Sequence, residues 1–553
     1  MDMYRAFLAV ALSLVILIGY QYFFVGPAVP PPTLEQAGPE TRQAPGQPAV
    51  QEQTLQPAPK AAVQTSPVTT DPNARDITVE TPLYTVVINE QGGGFKSFVL
   101  KKYRQEKQAD SAPMELVLSR EEGPAALPLI FSLDNGAGVL PTYRIVGDER
   151  RVLAAGQDSL EAVMEAHLPD GTSIRRVMTF YADSYVIDMR YEVSNEGHAP
   201  VQTSPALVMV NEPFSHGSTT SRYLFHGAAA LVNGELSEIK GDSLEEGPHV
   251  LQGTVDWVGY MDNYFITAVA PEAALTGGSV TIQGNEQQVQ SLLSQGLSQL
   301  QPQERKSYQY TVYFGPKKLT VLKAAGHELG RAIHFGWFDL LAKPMLYLLN
   351  FFHGYTGNYG FAIILLTVLI KTAFWPITQK GMKSMKNMQK LQPKMAKIRE
   401  KYKDDPTKMN QEVMALYKTY KVNPLGGCLP LLIQIPFFFA LYRVLMAAIE
   451  LRHAPFMLWI NDLSAPDRLP IGVDIPYLHG LPVLTVLMGA SMYLQQKMTP
   501  STADPTQARI MQFLPIIFTF MFINFASGLV LYWFVNNLLS ILQQYLINRQ
   551  KKA

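Results

Sequence analysis

Six apolar stretches, each near the length a bilayer demands, constrain this chain more than any other feature. The first spans about 7–24 behind Arg5, a continuous run of roughly 18 residues. The others lie at 357–378, 429–449, 481–497, 510–526 and 528–547. Such a chain folds as an α-helical polytopic membrane protein with six transmembrane helices, because lipid leaves backbone polar groups no partner but their own helix. For the first stretch, 1–25, an uncleaved anchor is expected. The rival is a cleaved signal peptide, whose apolar core would be about 7–15 residues and whose only nearby small-residue site, Gly26-Pro27-Ala28, carries a proline.

Charge placement orients the spans. The formal net charge of +0 hides a segregation: residues 379–425 hold about twelve Lys/Arg against about four Asp/Glu, and 548–553 adds Arg549, Lys551 and Lys552. The loop 450–480 leans acidic. Cytoplasmic loops carry the excess of lysine and arginine, so both termini are expected in the cytoplasm, with the short loop 498–509.

Between the first two spans the pattern changes twice. Residues 26–75 are rich in Pro, Gln, Ala and Thr and bury too little apolar surface to offset chain entropy, which predicts a disordered tether. Residues 76–318 alternate in short runs, among them 84–88, 175–180, 185–191 and 308–314, separated by Gly92-Gly-Gly94, Asp134-Asn-Gly136 and Asp170-Gly171. An all-β, antiparallel sandwich on the external side is expected. From 319 to 356 the chain reads as an amphipathic helical region, with Trp337, Phe338, Leu341, Leu346 and Leu349 among Arg331, His334 and Lys343. It either lies in the membrane interface or packs on the sandwich as a linker.

Lys371 carries the sharpest chemistry. A charge inside a span costs roughly 2.5–3.5 kcal/mol on insertion scales, so it needs a reason. It could snorkel toward the basic loop about eight residues away, or it could serve a hydrophilic cavity. Thr367 precedes it by one turn, and Gln434, Ser491, Asn524, Asn536 and Asn537 supply further polar groups from other spans. After that span, in 379–428, Lys380, Lys383, Lys386, Lys390, Lys394, Lys397 and Lys401 recur every three or four residues, with methionines between them. This predicts a basic helical hairpin suited to anionic lipid or ribosomal RNA, or simply a topogenic charge cluster.

The single cysteine, Cys428, excludes a disulfide framework within one chain. Phosphate-loop, zinc-helix and nucleophile-turn motifs do not occur, and His327-Glu328 has Arg331 where a second zinc-binding histidine belongs. Neither an enzyme nor a cofactor is expected. A solute transporter would also want a buried charge, but the spans show no internal repeat. A membrane scaffold would leave the cost of Lys371 unexplained.

The segments Gly357-Asn-Tyr-Gly-Phe-Ala-Ile-Ile364, Met414-Ala-Leu-Tyr417, Val422-Asn-Pro-Leu-Gly-Gly-Cys-Leu-Pro-Leu-Leu-Ile-Gln434 and Ser527-Gly-Leu-Val-Leu-Tyr532 resemble the YidC/Oxa/Alb insertases over roughly 330–550. The external domain behind one anchor is similar to the Gram-negative form with a large periplasmic domain, and looks like a galactose-mutarotase-type sandwich. The resemblance implies a bacterial inner-membrane insertase and chaperone that inserts and folds nascent integral membrane proteins, alone or with the Sec translocon. It implies a five-helix core around a hydrophilic groove, with ribosome contact left to the cytoplasmic loops. Lys371 occupies the position of the groove's positive charge, where many relatives have arginine, and Thr367, Gln434, Asn524 and Asn536 line the groove. Client helices slide along the third and fifth spans, which places Ile435, Pro436, Phe438, Met488, Met492, Met521, Tyr532 and Trp533 on the contact surface. Each of these, taken alone, also reads as lipid-facing or core packing.

Overall fold

A computed structural model of the chain describes residues 74–549 apart from 109, 118–126, 137–139, 215–224, 404, 421, 423–428, 474, 476–477 and 499–504. The expected anchor, nearly all of the tether, the Asn-Pro-Leu-Gly-Gly-Cys run and most of the C-terminal tail lie outside the described residues. Val63–Pro500 and Pro515–Ala553 form one compact unit, which contains everything reported below except the start of one helix that belongs to the other unit.

Strands fill the segment from Asp76 to Pro316. Alternating burial along Asp76–Glu80, Tyr84–Asn89 and Val186–Asn195 is the period-two pattern of half-buried strands. Five strands form one sheet in the order Pro113–Val117, Phe95–Arg104, Tyr84–Asn89, Asp76–Glu80, Arg150–Val152. Its last pairing, Asp76–Glu80 with Arg150–Val152, is parallel, an exception to the antiparallel expectation. A thirteen-stranded sheet is centred on Thr172–Tyr181, Val186–Asn195, Arg305–Pro316, Phe265–Pro271 and His249–Met261, neighbours in that order. The sheets meet through aromatic side chains, with Phe314 of the larger sheet 5.1 Å from Phe98 and 5.5 Å from Phe95. Beneath that layer the buried Arg176 stacks on Tyr191 and bonds the Gly93 carbonyl. Gly93 is needed there: its φ is +66°, and a Cβ would lie 2.6 Å from Arg176 Nη1.

Helices follow: α1 (Leu319–Ala325), α2 (Asp339–Thr356), α3 (Tyr359–Lys401), α4 (Pro406–Thr419), α5 (Leu429–Ala447), α6 (Val483–Met498), α7 (Pro505–Phe522) and α8 (Ser527–Arg549). The region 319–356 is therefore two helices joined by 3-10 turns at Leu329–Ala332 and Gly336–Phe338, not one. Gly326 and Gly336, at φ +77° and +63°, mark the breaks. Helix α2 packs against α3 and α5 while Trp337, Leu340, Phe351 and Tyr355 stay exposed.

The turn between α2 and α3 shows how sequence sets local structure. Gly357, at φ +64°, donates its N–H to His353 O at 2.8 Å and ends α2. Asn358 then caps α3, accepting from Gly360 N at 2.8 Å and Phe361 N at 3.3 Å, while its amide donates to Phe456 O. Helix α3 has 43 residues and runs unbroken through Pro376 and Pro393, so the basic stripe expected after the span continues the same helix. Among the described residues α3 is the helix long and apolar enough to cross a membrane by length and composition, and Ile433–Ala447 and Gln512–Phe522 are shorter apolar segments.

Candidate functional site

Lys371 lies on the face of α3 that meets α8 and is 7% exposed. Its ammonium donates to Ser540 Oγ at 2.7 Å and to Asn536 Oδ1 at 3.3 Å. Asn536 Oδ1 also accepts from Gln434 Nε2 of α5 at 3.4 Å, so three helices converge on one amide oxygen. Both partners of the lysine are neutral, and among the described residues it forms no ion pair. Neutral dipoles leave the ammonium's charge uncompensated, and a charge in a low-dielectric site attracts an anion more strongly than it would in water.

Helix periodicity explains the convergence. Asn536, Ser540 and Gln543 stand at i, i+4 and i+7 and face α3, where Gln543 Nε2 donates to Thr378 Oγ1 at 2.8 Å. One residue further round, Asn537 faces α6 and donates to Ser491 Oγ at 3.0 Å, while Gln544 donates to the Met498 carbonyl. Helix α8 thus carries two polar stripes, one for each neighbour. Ser540, Gln543 and Thr378 escaped the sequence reading, although their spacing from Asn536 and Lys371 carried the signal.

Two of the expected lining residues stand differently. Thr367 is buried one turn before Lys371, but its hydroxyl donates to Ile363 O at 2.6 Å within its own helix. Asn524 is not part of the cluster. It precedes the start of α8, and the nine positions from Ser527 to Asn536 alone correspond to about 14 Å of helix rise. There its Oδ1 accepts from Arg468 Nη2 at 2.9 Å, and Arg468 Nη1 also bonds Ile523 O.

The expected client surface divides in the same way. Ile435, at 39% exposed, and Pro436 and Met521 are open to the surroundings. Phe438, Met492 and Trp533 are half-buried, with Phe438 and Trp533 rings 4.9 Å apart. Met488 and Tyr532 are buried at 0% and 3% and offer no surface, because both face the packed helix interior rather than the outside.

The basic stripe folds back as a hairpin. Tyr417 of α4 donates to Met395 Sδ at 3.4 Å, and Lys394 Nζ lies 4.3 Å from the Tyr420 ring centroid. Lys380, Lys383, Lys390, Lys394, Lys397 and Lys401 are exposed along the α3 arm, and Lys386 is half-buried. Among the described residues no group of three or more His, Cys, Asp or Glu could hold a metal ion.

The sequence profile of the YidC periplasmic domain matches residues 76–348, and that of the 60Kd inner membrane protein matches 351–553. A membrane protein insertase YidC of Syntrophobacter fumaroxidans is 44% identical over 99% of this chain and 99% of its own. The chain belongs to the YidC membrane protein insertase family. A YidC of Geobacter metallireducens is 42% identical, again over 99% of each chain. Among solved structures, an active YidC insertase with its first transmembrane domain resolved is similar at 20% identity and a TM-score of 0.36, over 85% of this chain and 92% of that one. As a YidC-family protein this chain is an inner-membrane protein, and its β-rich domain is periplasmic.

Proposed function

We propose that the chain is a membrane protein insertase and chaperone, not an enzyme, and that Lys371 is the positive charge through which it draws the polar outer segment of a client into the membrane. The observation that carries this reading is the buried Lys371 ammonium, held among the described residues by the neutral Asn536 and Ser540. Its desolvation is tolerable if an incoming acidic segment compensates it. Gln434 and Asn536 line the same groove, and the apolar helix of the client leaves sideways past Ile435, Pro436, Phe438, Met492, Met521 and Trp533.

In this reading α3, α5, α6, α7 and α8 are the five-helix core, and the segment 1–25 is a sixth span. The 43 residues of α3 amount to about 65 Å of helix, roughly twice the hydrocarbon thickness, so its basic half projects into the cytoplasm. Both termini are cytoplasmic. The exposed lysines of the hairpin meet anionic lipid or the ribosome, α2 and the 3-10 turn before it lie in the interface through Trp337, Leu340 and Phe351, and the chain works alone or with the Sec translocon.

Purified protein in liposomes without other proteins tests the reading, with protease protection of a single-span client bearing a short acidic outer tail as the measurement. Protection above that of empty liposomes is expected. Its absence with correctly oriented protein rules out autonomous insertion.

A further inference from the structure

A tight turn of the periplasmic domain touches the helical region. Strands His249–Met261 and Phe265–Pro271 are joined by residues 262–264. Asp262 Oδ1 accepts from Tyr264 N at 2.7 Å and Phe265 N at 2.6 Å, and the Lys317 ammonium donates to Asp262 O at 3.0 Å, so the turn is braced from both sides. From its tip Asn263 Nδ2 donates to Met446 O at 2.7 Å. That carbonyl lies in the last turn of α5, where carbonyls lack intrahelical partners. Arg452, just beyond α5, packs its guanidinium 5.3 Å from the Phe265 ring centroid and 5.7 Å from that of Tyr264. It also donates to Gln105 O at 2.9 Å. A side chain of the β domain therefore caps α5, and a side chain next to α5 is clasped by the β domain.

Helix α5 is a lever toward the site. Gln434 stands twelve positions before Met446, about 18 Å along the axis. A small tilt at the outer end moves Gln434 away from Asn536 and re-aims the exposed Ile435. The 3.4 Å contact between Gln434 and Asn536 is already long and has little slack.

We propose that the turn at 262–265 is a splint for α5, and that Asn263 and Arg452 are positioning residues for insertion. The proposal rests on the reading of α5 as a wall of the client groove. It gives the periplasmic domain a mechanical part in insertion: it holds one wall of the groove at the angle at which Gln434 meets Asn536.

The experiment uses the full chain in liposomes with Cys428→Ser, spin-labelled at Val250→Cys in the β domain and Ile435→Cys on α5. Electron–electron dipolar spectroscopy reads the distance between them, and insertion of an acidic-tailed client is followed in unlabelled protein. Combining Asn263→Ala with Arg452→Ala is expected to broaden the distance distribution roughly twofold and to slow insertion roughly fivefold, with the melting of the β domain unchanged. Asn263→Gln, which keeps an amide donor, is expected to restore much of both. An unchanged distribution in the double variant overturns the splint, and a broadened distribution with parental insertion overturns its role in insertion. Failure of the parent protein to insert would be seen separately and would tell against the insertase reading itself.

Discussion

Ser540 Oγ lies 2.7 Å from the Lys371 ammonium and donates in turn to Asn536 O at 2.7 Å, which makes it a relay between the buried cation and its own helix. Hydrogen bonds to a charged group contribute about 1.5–3 kcal/mol. Ser540→Ala is expected to lower stability by about that amount and to reduce insertion less than removal of Lys371. Thermal unfolding in detergent beside an insertion assay checks both. A variant as defective in insertion as Lys371→Ala would mean that the hydroxyl, rather than the cation, is the working group.

Helices α6 and α7 approach closely at Gly489, where an added Cβ would meet Thr519 Oγ1 at 2.0 Å. The Thr519 hydroxyl is already committed to Pro515 O at 2.7 Å and cannot swing away freely. Small residues at such crossings let membrane helices pack by backbone contact. Gly489→Ala is expected to cost about 1–3 kcal/mol through overpacking. Gly354→Ala on α2, where a Cβ meets nothing within 4 Å, serves as the control in the same melting experiment and is expected to stabilise by about 0.5–1 kcal/mol.

Burial holds the Glu450 carboxyl above the usual carboxylate range, against the opposing pulls of Lys318 and the Asn350 amide. The folded protein therefore binds this proton more tightly than the unfolded chain does. The stability it contributes is fully present below the ordinary glutamate pKa and is lost as pH rises through the raised value. Glu450→Gln is expected to raise the melting temperature by about 2 °C at pH 7, with the gain vanishing near pH 4. A gain that does not change with pH would assign the effect to packing instead.

Apolar periodicity and charge asymmetry made the helices legible, because both are properties of single elements. The β-rich domain was legible from alternation in runs such as 84–88 and 308–314, which lie within Tyr84–Asn89 and Arg305–Pro316. The parallel pairing of Asp76–Glu80 with Arg150–Val152 was not, since pairing partners far apart in sequence leave no local trace. At the site, Lys371, Gln434 and Asn536 were readable because a polar group inside a span is rare. Asn524 misled because composition cannot tell a span's interior from its end, where Arg468 claims the amide. Met488 and Tyr532 misled because helix rotation, which buries them, depends on neighbours that a single sequence does not position.

In the proposed reading the Lys371 charge draws acidic outer segments inward. The most direct measurement is the insertion rate of two single-span clients, one with an acidic outer tail and one with a neutral tail, by the parent protein, Lys371→Arg and Lys371→Ala in liposomes. Lys371→Ala is expected to slow the acidic client by about tenfold, equivalent to roughly 1.4 kcal/mol, and to spare the neutral one, whereas Lys371→Arg is expected to retain most activity. Equal rates for the acidic client with parent and Lys371→Ala would contradict it.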